Sequence, residues 1–539
     1  MPTVPELVID RARKEGINHF FGLPSSGVLL HLLEAGRQQG VEFVSTAHES
    51  SGVIAAAYYG YLKESAGLAI AIQGPGAGNM ISGAVNVQFE CKPVICMCEC
   101  PAIDDFGAWG QQADHPSLFK GTTKACLRIT KENTAQALYD AFYLAARQRL
   151  GPVLLELPRN LGSCEASIDL TMTQNPVSQD PDPMTLSAVC DLAGSFKKPI
   201  IIVGDDIRNE GCVPALISLV ESLQAAVLVT MDGRGVFPET NRRFGCVYIG
   251  TAPPYALYRS FLAEADGVLV IGVDGRMKEA RWDLDIPVCE LITQPEFPAL
   301  SDTPTLRVNG KLAPSLERLA YLKNPSGFPI SRIAELRAMA QPRFARPQAA
   351  QLAVNDIITI TRERLPEEGL IFAETGVFQS MLEHLWSVTV PNTFFASTVG
   401  RTMGLTIPAL LGAKLACPDL PMVGFGTDGS TLMRLGELET FARTGVVAPL
   451  VIMNDGALGT IRAQQKFQRL PDYGLQLELV DFAHTAQVLG LKGIIVDTPE
   501  AFTDALNQAM TADTTTVIDA RVDPEPYRDS FMATTGMVQ

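Results

Sequence analysis

Apolar and polar positions along this chain follow two patterns. Short unbroken apolar runs end in turns rich in glycine, asparagine or aspartate, and longer stretches repeat their apolar residues every three or four positions. The first pattern predicts buried parallel strands, the second helices packed on them. Met422, Val423 and Phe425 lead into Gly426-Thr427-Asp428-Gly429-Ser430. Leu450 to Met453 lead into Asn454-Asp455-Gly456, and between the two runs Leu432, Leu435, Leu438 and Phe441 recur at helical spacing. The unit reads strand, Asp-Gly turn, helix, strand, acidic turn.

The same alternation runs through the rest of the chain. Residues 1–16 read as a helix, and Asn18 to Ser26 as a strand ending in a turn. Val44 to Gly52 leads into a helix marked by Ala55, Ala56 and Ala57, and the strand Leu68 to Ile72 runs into Gln73-Gly74-Pro75-Gly76-Ala77-Gly78-Asn79. Pro199 to Gly204, Ala226 to Thr230 and Gly267 to Gly272 are further strands separated by helical stretches, which predicts a doubly wound sheet. Two polar, proline-bearing breaks, Ser163 to Met184 and Asn324 to Pro347, read as linkers. They divide the chain into domains over 1–165, 185–325 and 345–530.

Turns at the carboxyl ends of parallel strands are where an open α/β sheet binds ligands. Asp428 and Asp455 bring two side-chain oxygens to one place beside a helix start. A hard cation such as Mg²⁺ held together with a diphosphate needs that arrangement; an ordinary α/β turn is the other reading.

Length and charge narrow the picture. The 539 residues allow three domains, and 47% hydrophobic residues allow large cores and a buried subunit interface. The net charge of −16 argues against nucleic acid or an anionic membrane as partner. No signal-peptide core and no membrane-length apolar run is evident, so a cytoplasmic enzyme with reduced thiols is expected. Among eleven cysteines, Cys91, Cys96, Cys98 and Cys100 cluster. A zinc or redox site is one reading. Alternation of the last three on a strand, as small buried hydrophobes, is the preferred one.

The Asp428 and Asp455 turns resemble the cofactor motif of thiamine diphosphate enzymes, Gly-Asp-Gly followed by Asn-Asn or Asn-Asp. The resemblance implies an α/β fold of three doubly wound parallel-sheet domains, in the order pyrimidine-binding, middle and diphosphate-binding. It puts Asp428, Asp455 and the Ala457 carbonyl on Mg²⁺, and Gly429, Ser430 and Asn454 at the thiamine diphosphate. Two departures stand out. Asp455 replaces a common asparagine and keeps an oxygen ligand. Thr427 replaces a glycine, and a β-branched residue does not easily take a glycine-only backbone angle. Read alone, Glu49 is a helix-start acid complementing the dipole. Under the resemblance it matches the glutamate that bonds the pyrimidine ring, with Gly74, Pro75 and Asn79 following.

Gly400-Arg401-Thr402-Met403-Gly404 is similar to the segment of acetolactate synthases that sets a bulky apolar side chain, here Met403, beneath the cofactor. Thr402 and the segment Gly376, Val377 and Phe378 are implied contacts. Ser26 and Gln111 are implied catalytic residues besides Glu49, and Thr460, Ile461 and Gln464 would face substrate. The paired histidines of pyruvate decarboxylase are absent, and Ile72 occupies the position of a catalytic histidine in benzoylformate decarboxylase. His48 reads as a support for Glu49, and His115 as structural.

Gly233 to Glu239 resembles a stretch of acetolactate synthases, but no flavin fingerprint accompanies it, and bound FAD is not the expectation. A homodimer is the implied minimum unit, and a homotetramer is common in the family. The implied activity is carboligation of 2-oxo acids or related carbonyl compounds. A decarboxylase releasing an aldehyde, a flavin-dependent oxidase of the same fold and an inactive binding subunit are the alternatives.

Overall fold

Among the described residues, three six-stranded sheets carry the chain, and every strand pair within them is parallel. The computed structural model describes residues 1–102, 110–147, 149–168, 179–209, 211–248, 257–277, 285–324, 326–340 and 344–523. The first sheet holds β1 (His19–Gly22), β2 (Glu42–Ser45), β3 (Gly67–Ala71), β4 (Val94–Cys100), β5 (Cys126–Arg128) and β6 (Pro152–Pro158), ordered β2-β1-β3-β4-β6-β5. The second holds β7 (Pro199–Val203), β8 (Ala226–Thr230), β9 (Phe244–Tyr248), β10 (Gly267–Ile271), β11 (Val288–Ile292) and β12 (Leu306–Asn309), ordered β12-β11-β10-β7-β8-β9. The third holds β13 (Leu370–Ala373), β14 (Phe394–Ala396), β15 (Met422–Thr427), β16 (Pro449–Asn454), β17 (Lys492–Val496) and β18 (Thr516–Arg521), ordered β14-β13-β15-β16-β18-β17.

The first and third sheets share one topology, and in both the winding reverses between the first and third strands. That switch point is where the loops at the carboxyl ends splay apart and leave a crevice. The β1/β3 crevice is bordered by the segments after Gly22 and Ala71, and the β13/β15 crevice by those after Ala373 and Thr427. Strands such as β3, β4 and β8 are buried at every position, which is why they read as unbroken apolar runs. Cys96, Cys98 and Cys100 lie buried on β4 with free thiols.

Two expectations change. Leu432 to Phe441 is not one helix but two, Asp428–Met433 and Glu437–Thr444, and Leu432 is exposed. The break falls at Arg434, whose side chain turns back to Ser50 and to the Gly404 carbonyl instead of continuing a surface helix. The stretch read as the second linker contains the helix Ile330–Ala340, whose Ile333 and Leu336 are buried with Phe261 and Phe328. Its proline- and glycine-bearing flanks masked one short apolar stripe.

The first and third sheets share a core. The helix Glu49–Leu62 crosses the helix Thr406–Ala416 so closely that a Cβ on Gly412 would sit 2.0 Å from the Ala55 carbonyl oxygen. Tyr58, fully buried, packs edge-on against Phe372 and Phe395 at 5.8 and 5.7 Å. Gly412→Ala should therefore destabilise the protein by about 1–3 kcal/mol despite the better helix propensity of alanine. Thermal unfolding checks this, and an unchanged or raised Tm would show that the helix pair can separate freely.

Candidate active site

Thr427 ends β15 opposite Met453, so the turns after β15 and β16 emerge side by side. Thr427 has φ −118° and ψ 159°, and its hydroxyl accepts the Ser430 N–H at 3.4 Å. Extended backbone needs no glycine. The replacement seen in the motif is therefore unstrained and supplies a helix cap that glycine lacks.

Asp428 is buried, at 4% exposure. One carboxylate oxygen accepts the Gly429 N–H at 2.7 Å, and the other accepts the N–H groups of Gly456 and Ala457 at 2.8 and 3.2 Å. Burial pushes its carboxyl above the ordinary range, and these backbone donors only partly offset that. Asp428 forms no ion pair among the described residues. Asp455 accepts the Ala457 N–H at 3.0 Å, and the Ala457 carbonyl accepts the Gly459 N–H at 2.9 Å, which leaves that carbonyl one lone pair to offer. A buried carboxylate without a countercharge, in an all-oxygen donor set, suits a hard divalent cation.

These groups open into a cavity of about 370 Å³. Gly376, Val377, Phe378, Met403, Asp428, Gly429, Ser430, Asp455 and Ala457 line it, and so do Thr460, Ile461 and Gln464. A Cβ on Gly429 would come within 2.9 Å of Leu458 Cδ2 and 3.3 Å of Met403 Cε, so the bare backbone there gives Met403 its place over the turn. Asn454 and Thr402 do not line the cavity. The Asn454 amide donates to the Val480 carbonyl at 2.8 Å and to Asp519 at 2.9 Å, and Thr402 bonds Asn86 of the first sheet's domain. The sequence did not single out Thr375, Gln379, Ser380, Glu383, Arg401 or Leu458, which also line the cavity. The helix after Gly376 was the available signal for Gln379, Ser380 and Glu383.

The residues predicted from the first domain form a separate group at the β1/β3 crevice. Glu49 is buried at the start of its helix and accepts the Asn79 amide N–H at 3.1 Å. A Cβ on Gly76 would stand 3.2 Å from the Glu49 carboxylate and 2.7 Å from Ile72, so Gly76 keeps open the space beside that acid. His48 caps the helix, its Nδ1 accepting the Ser50 N–H at 3.2 Å. Gly74, at φ +64°, packs under the Gln111 carbonyl and donates its N–H to His115 Nε2 at 3.1 Å, while His115 Nδ1 lies 3.3 Å from Glu156. Pro75 opens the following helix. Ser26 and Gln111 are exposed. None of this group lines the Asp428 cavity within the chain.

Buried carboxylates fix the loop that carries Met403. Glu374, at the end of β13, accepts the N–H groups of Gly404 at 2.9 Å and Thr406 at 2.7 Å. Glu90, from the first domain, accepts the Thr398 hydroxyl at 3.0 Å and the Gly400 N–H at 3.1 Å. Burial raises the pKa of both acids. Arg434 donates to the Gly404 carbonyl at 3.1 Å and to the Ser50 hydroxyl at 2.6 Å, while Glu437 accepts the N–H groups of Ala47 and His48 at 3.1 and 3.2 Å. The residues flanking Glu49 are thus held by the segment that follows the Asp428 helix.

Comparison with known proteins agrees with this geometry. Residues 2–119 match the N-terminal TPP binding domain of thiamine pyrophosphate enzymes, 186–287 the central domain and 374–520 the C-terminal TPP binding domain. The chain is 26% identical to a probable acetolactate synthase large subunit of Methanocaldococcus jannaschii, covering 96% of this chain and 92% of that one. It is 26% identical to the acetolactate synthase large subunit of Lactococcus lactis, covering 93% and 89%. With the acetolactate synthase isozyme 2 large subunit of Escherichia coli it shares 24% identity over 96% and 95%. Three consecutive domain matches, falling on the three sheets in order, make the chain a member of the thiamine pyrophosphate enzyme family.

Proposed function

We propose that the chain is an acetolactate synthase-like carboligase, dependent on thiamine diphosphate and Mg²⁺, that joins 2-oxo acids or related carbonyl compounds. The observation that carries the choice of ligation over simple decarboxylation is the make-up of the two groups this reading brings together: among the described residues no histidine lines the Asp428 cavity, and on the Glu49 side Ile72 stands against Gly76 while His48 is engaged by Ser50 and His115 is buried between Gly74 and Glu156. Without an imidazole acid, protonation of the donor carbon is disfavoured against attack on a second carbonyl. The names of the relatives support the same reading. In this proposal the domains extend over 1–165, 185–325 and 345–530, and two chains form the working unit. Glu49 would then complete the Asp428 cavity of a partner, because it does not line that of its own chain.

Asp428, Asp455 and the Ala457 carbonyl would hold Mg²⁺, and Gly429 and Ser430, at the helix start, would receive the diphosphate. Met403 would give the bound cofactor an apolar support. Glu49 would hold a proton at a pyrimidine nitrogen, with Asn79 fixing the carboxylate in line. When bound, thiamine diphosphate supplies an acidic carbon and an electron sink. Gly74, Pro75, Gly376, Val377 and Phe378 would shape the cofactor's surroundings, and Ser26 and Gln111 would reach substrate from the partner's side.

Incubating the protein with thiamine diphosphate, Mg²⁺ and a panel of 2-oxo acids and aldehydes should yield carbon–carbon bonded products by mass spectrometry; aldehyde as sole product would overturn the reading. Removing divalent metal with a chelator should weaken thiamine diphosphate binding, and restored Mg²⁺ should recover it. Glu49→Gln should lower kcat by about 100-fold or more while the cofactor still binds; unchanged turnover would remove Glu49 from the mechanism. Glu374→Gln turns an amide N–H₂ toward a backbone N–H. It should cost about 1–3 kcal/mol of stability and lower kcat about tenfold through a loosened Met403. A lowered Tm with kcat intact would make Glu374 a support of the fold alone.

A further inference from the structure

We propose that a second cavity, at the seam between the middle and third domains, binds a monocarboxylate with an apolar body and serves as an effector site for the Asp428 cavity. Binding at this site does not depend on which reaction the protein performs.

The cavity has a volume of about 390 Å³, within the range of small-molecule sites. Its walls include β9, at the free edge of the second sheet, the helix Ile330–Ala340 and the end of the helix Val377–Leu385. Phe244, Val247, Leu257, Phe344 and Leu385 give it an apolar lining. Such a lining favours a ligand whose hydrocarbon part is removed from water.

Two polar groups on this wall are unspent. Arg337 is half-buried, with its guanidinium carbon 5.3 Å from the centre of the Phe244 ring. The ring covers a face of the guanidinium, not its N–H edge, and among the described residues Arg337 makes no ion pair and no hydrogen bond. His384 stacks on Phe344 with ring centroids 4.4 Å apart, and neither of its nitrogens has a hydrogen-bond partner among the described residues. Burial, and then the charge of Arg234, hold its pKa down to about 3. At neutral pH this imidazole is therefore uncharged and has one N–H to donate. The acids on the wall are already engaged. Glu239 takes two hydrogen bonds from Arg234, each of 2.7 Å, and Glu383 accepts the Gln379 amide at 3.1 Å.

These groups select the ligand. A carboxylate matches the guanidinium edge with two parallel hydrogen bonds and can take a third from an imidazole N–H. An uncharged occupant would cover Arg337 and leave its charge without a counterion, which is costly. A dianion would bring a second charge past Glu239 and Glu383, and among the described residues no unpaired cation besides Arg337 lines the cavity to meet it. The link to the Asp428 cavity is the helix Val377–Leu385. Val377, Phe378 and Gln379 line that cavity, His384 and Leu385 line this one, and Glu383 lines both. An anion held between Arg337 and His384 ties the helix Ile330–Ala340 to this common wall. Coupling of this kind is reciprocal: the ligand changes coenzyme affinity by the factor by which the coenzyme changes its own.

The test titrates the full-length protein by calorimetry with phenylacetate, and with uncharged phenylacetamide as the control, in the absence of any 2-oxo acid. Phenylacetate should bind about tenfold or more tighter than the amide, and Arg337→Ala should weaken it about 10- to 100-fold, with Arg337→Lys intermediate. Ser387→Trp, at an exposed position on the cavity wall, should block binding by filling the space. Against coenzyme-free wild type, Asp428→Asn should leave phenylacetate binding intact, because that carboxylate belongs to the other cavity. Saturating phenylacetate should change the Kd for thiamine diphosphate, measured with Mg²⁺, by about fivefold or more in the wild type and not in Arg337→Ala. Wild-type protein that fails to bind phenylacetate, equal binding of the amide, normal binding by Arg337→Ala or Ser387→Trp, or loss of binding in Asp428→Asn would each overturn the site. Arg337-dependent binding that leaves thiamine diphosphate affinity unchanged would overturn the effector role. A protein that binds phenylacetate as expected and forms no carbon–carbon bond would sink the carboligase reading and leave this site standing.

Discussion

The buried carboxylate of Asp428 organises the third domain. Three backbone N–H groups converge on it from two adjacent turns, and so β15 and β16 must end at the same level. This is the constraint from which the cavity follows. Backbone donors stabilise the ionised form without neutralising it, and a carboxylate left with net charge in a low-dielectric wall stays costly until a cation arrives. Thr427 caps the helix beside it, and Gly429 brings that helix start within reach of Met403. One turn thus presents a helix start that suits an anion and a carboxylate that suits a cation.

The domain carrying Glu49 is not an independent partner of that turn. Arg434 and Glu437, just beyond the Asp428 helix, hold the serines after Glu49 and the backbone before it, and Glu90 of the first domain holds the loop leading to Met403. Each of the two groups is therefore braced by residues of the other domain in the same chain. A shift of the Glu49 helix relative to Thr406–Ala416 would be felt at Met403, and the contact of Gly412 with Ala55 leaves little room for such a shift. Rigidity of this kind suits a site whose polar and apolar groups must stay aligned over a cofactor.

Much of this was legible in the sequence, for a physical reason. Parallel strands buried on both faces read as apolar runs, and the ligand sites of open sheets lie where those runs end. The turns at Asp428, Asp455, Glu49 and Gly74 could therefore be located before any coordinates. Residues that act through others were not legible. Glu90, Glu374, Arg434 and Glu437 carry no signature in residue order, because only the packing of distant elements buries them or gives them partners. Arg401 was passed over because its place on the cavity wall has no such signature either. Asn454 and Thr402 lie beside the key turns, yet their side chains face away from the cavity, a choice of rotamer and strand face that a motif cannot specify.

The middle domain shows how the same physics can be turned to another use. Its sheet has the 3-2-1-4-5-6 winding of dinucleotide-binding folds, with a switch point between β7 and β10. Among the described residues, what the carboxyl ends present there is acidic: Asp205 pairs with Arg208, Asp232 bonds Thr230, and Asp274 lies 3.1 Å from Arg149 of the first domain. Arg276, beside Asp274, donates to Cys91 at 2.9 Å, again across to the first domain. Burial pushes the Asp232 carboxyl up to about 6. Among the described residues, the Asp274–Arg149 ion pair and the Arg276–Cys91 hydrogen bond tie this end of the middle sheet to the first domain.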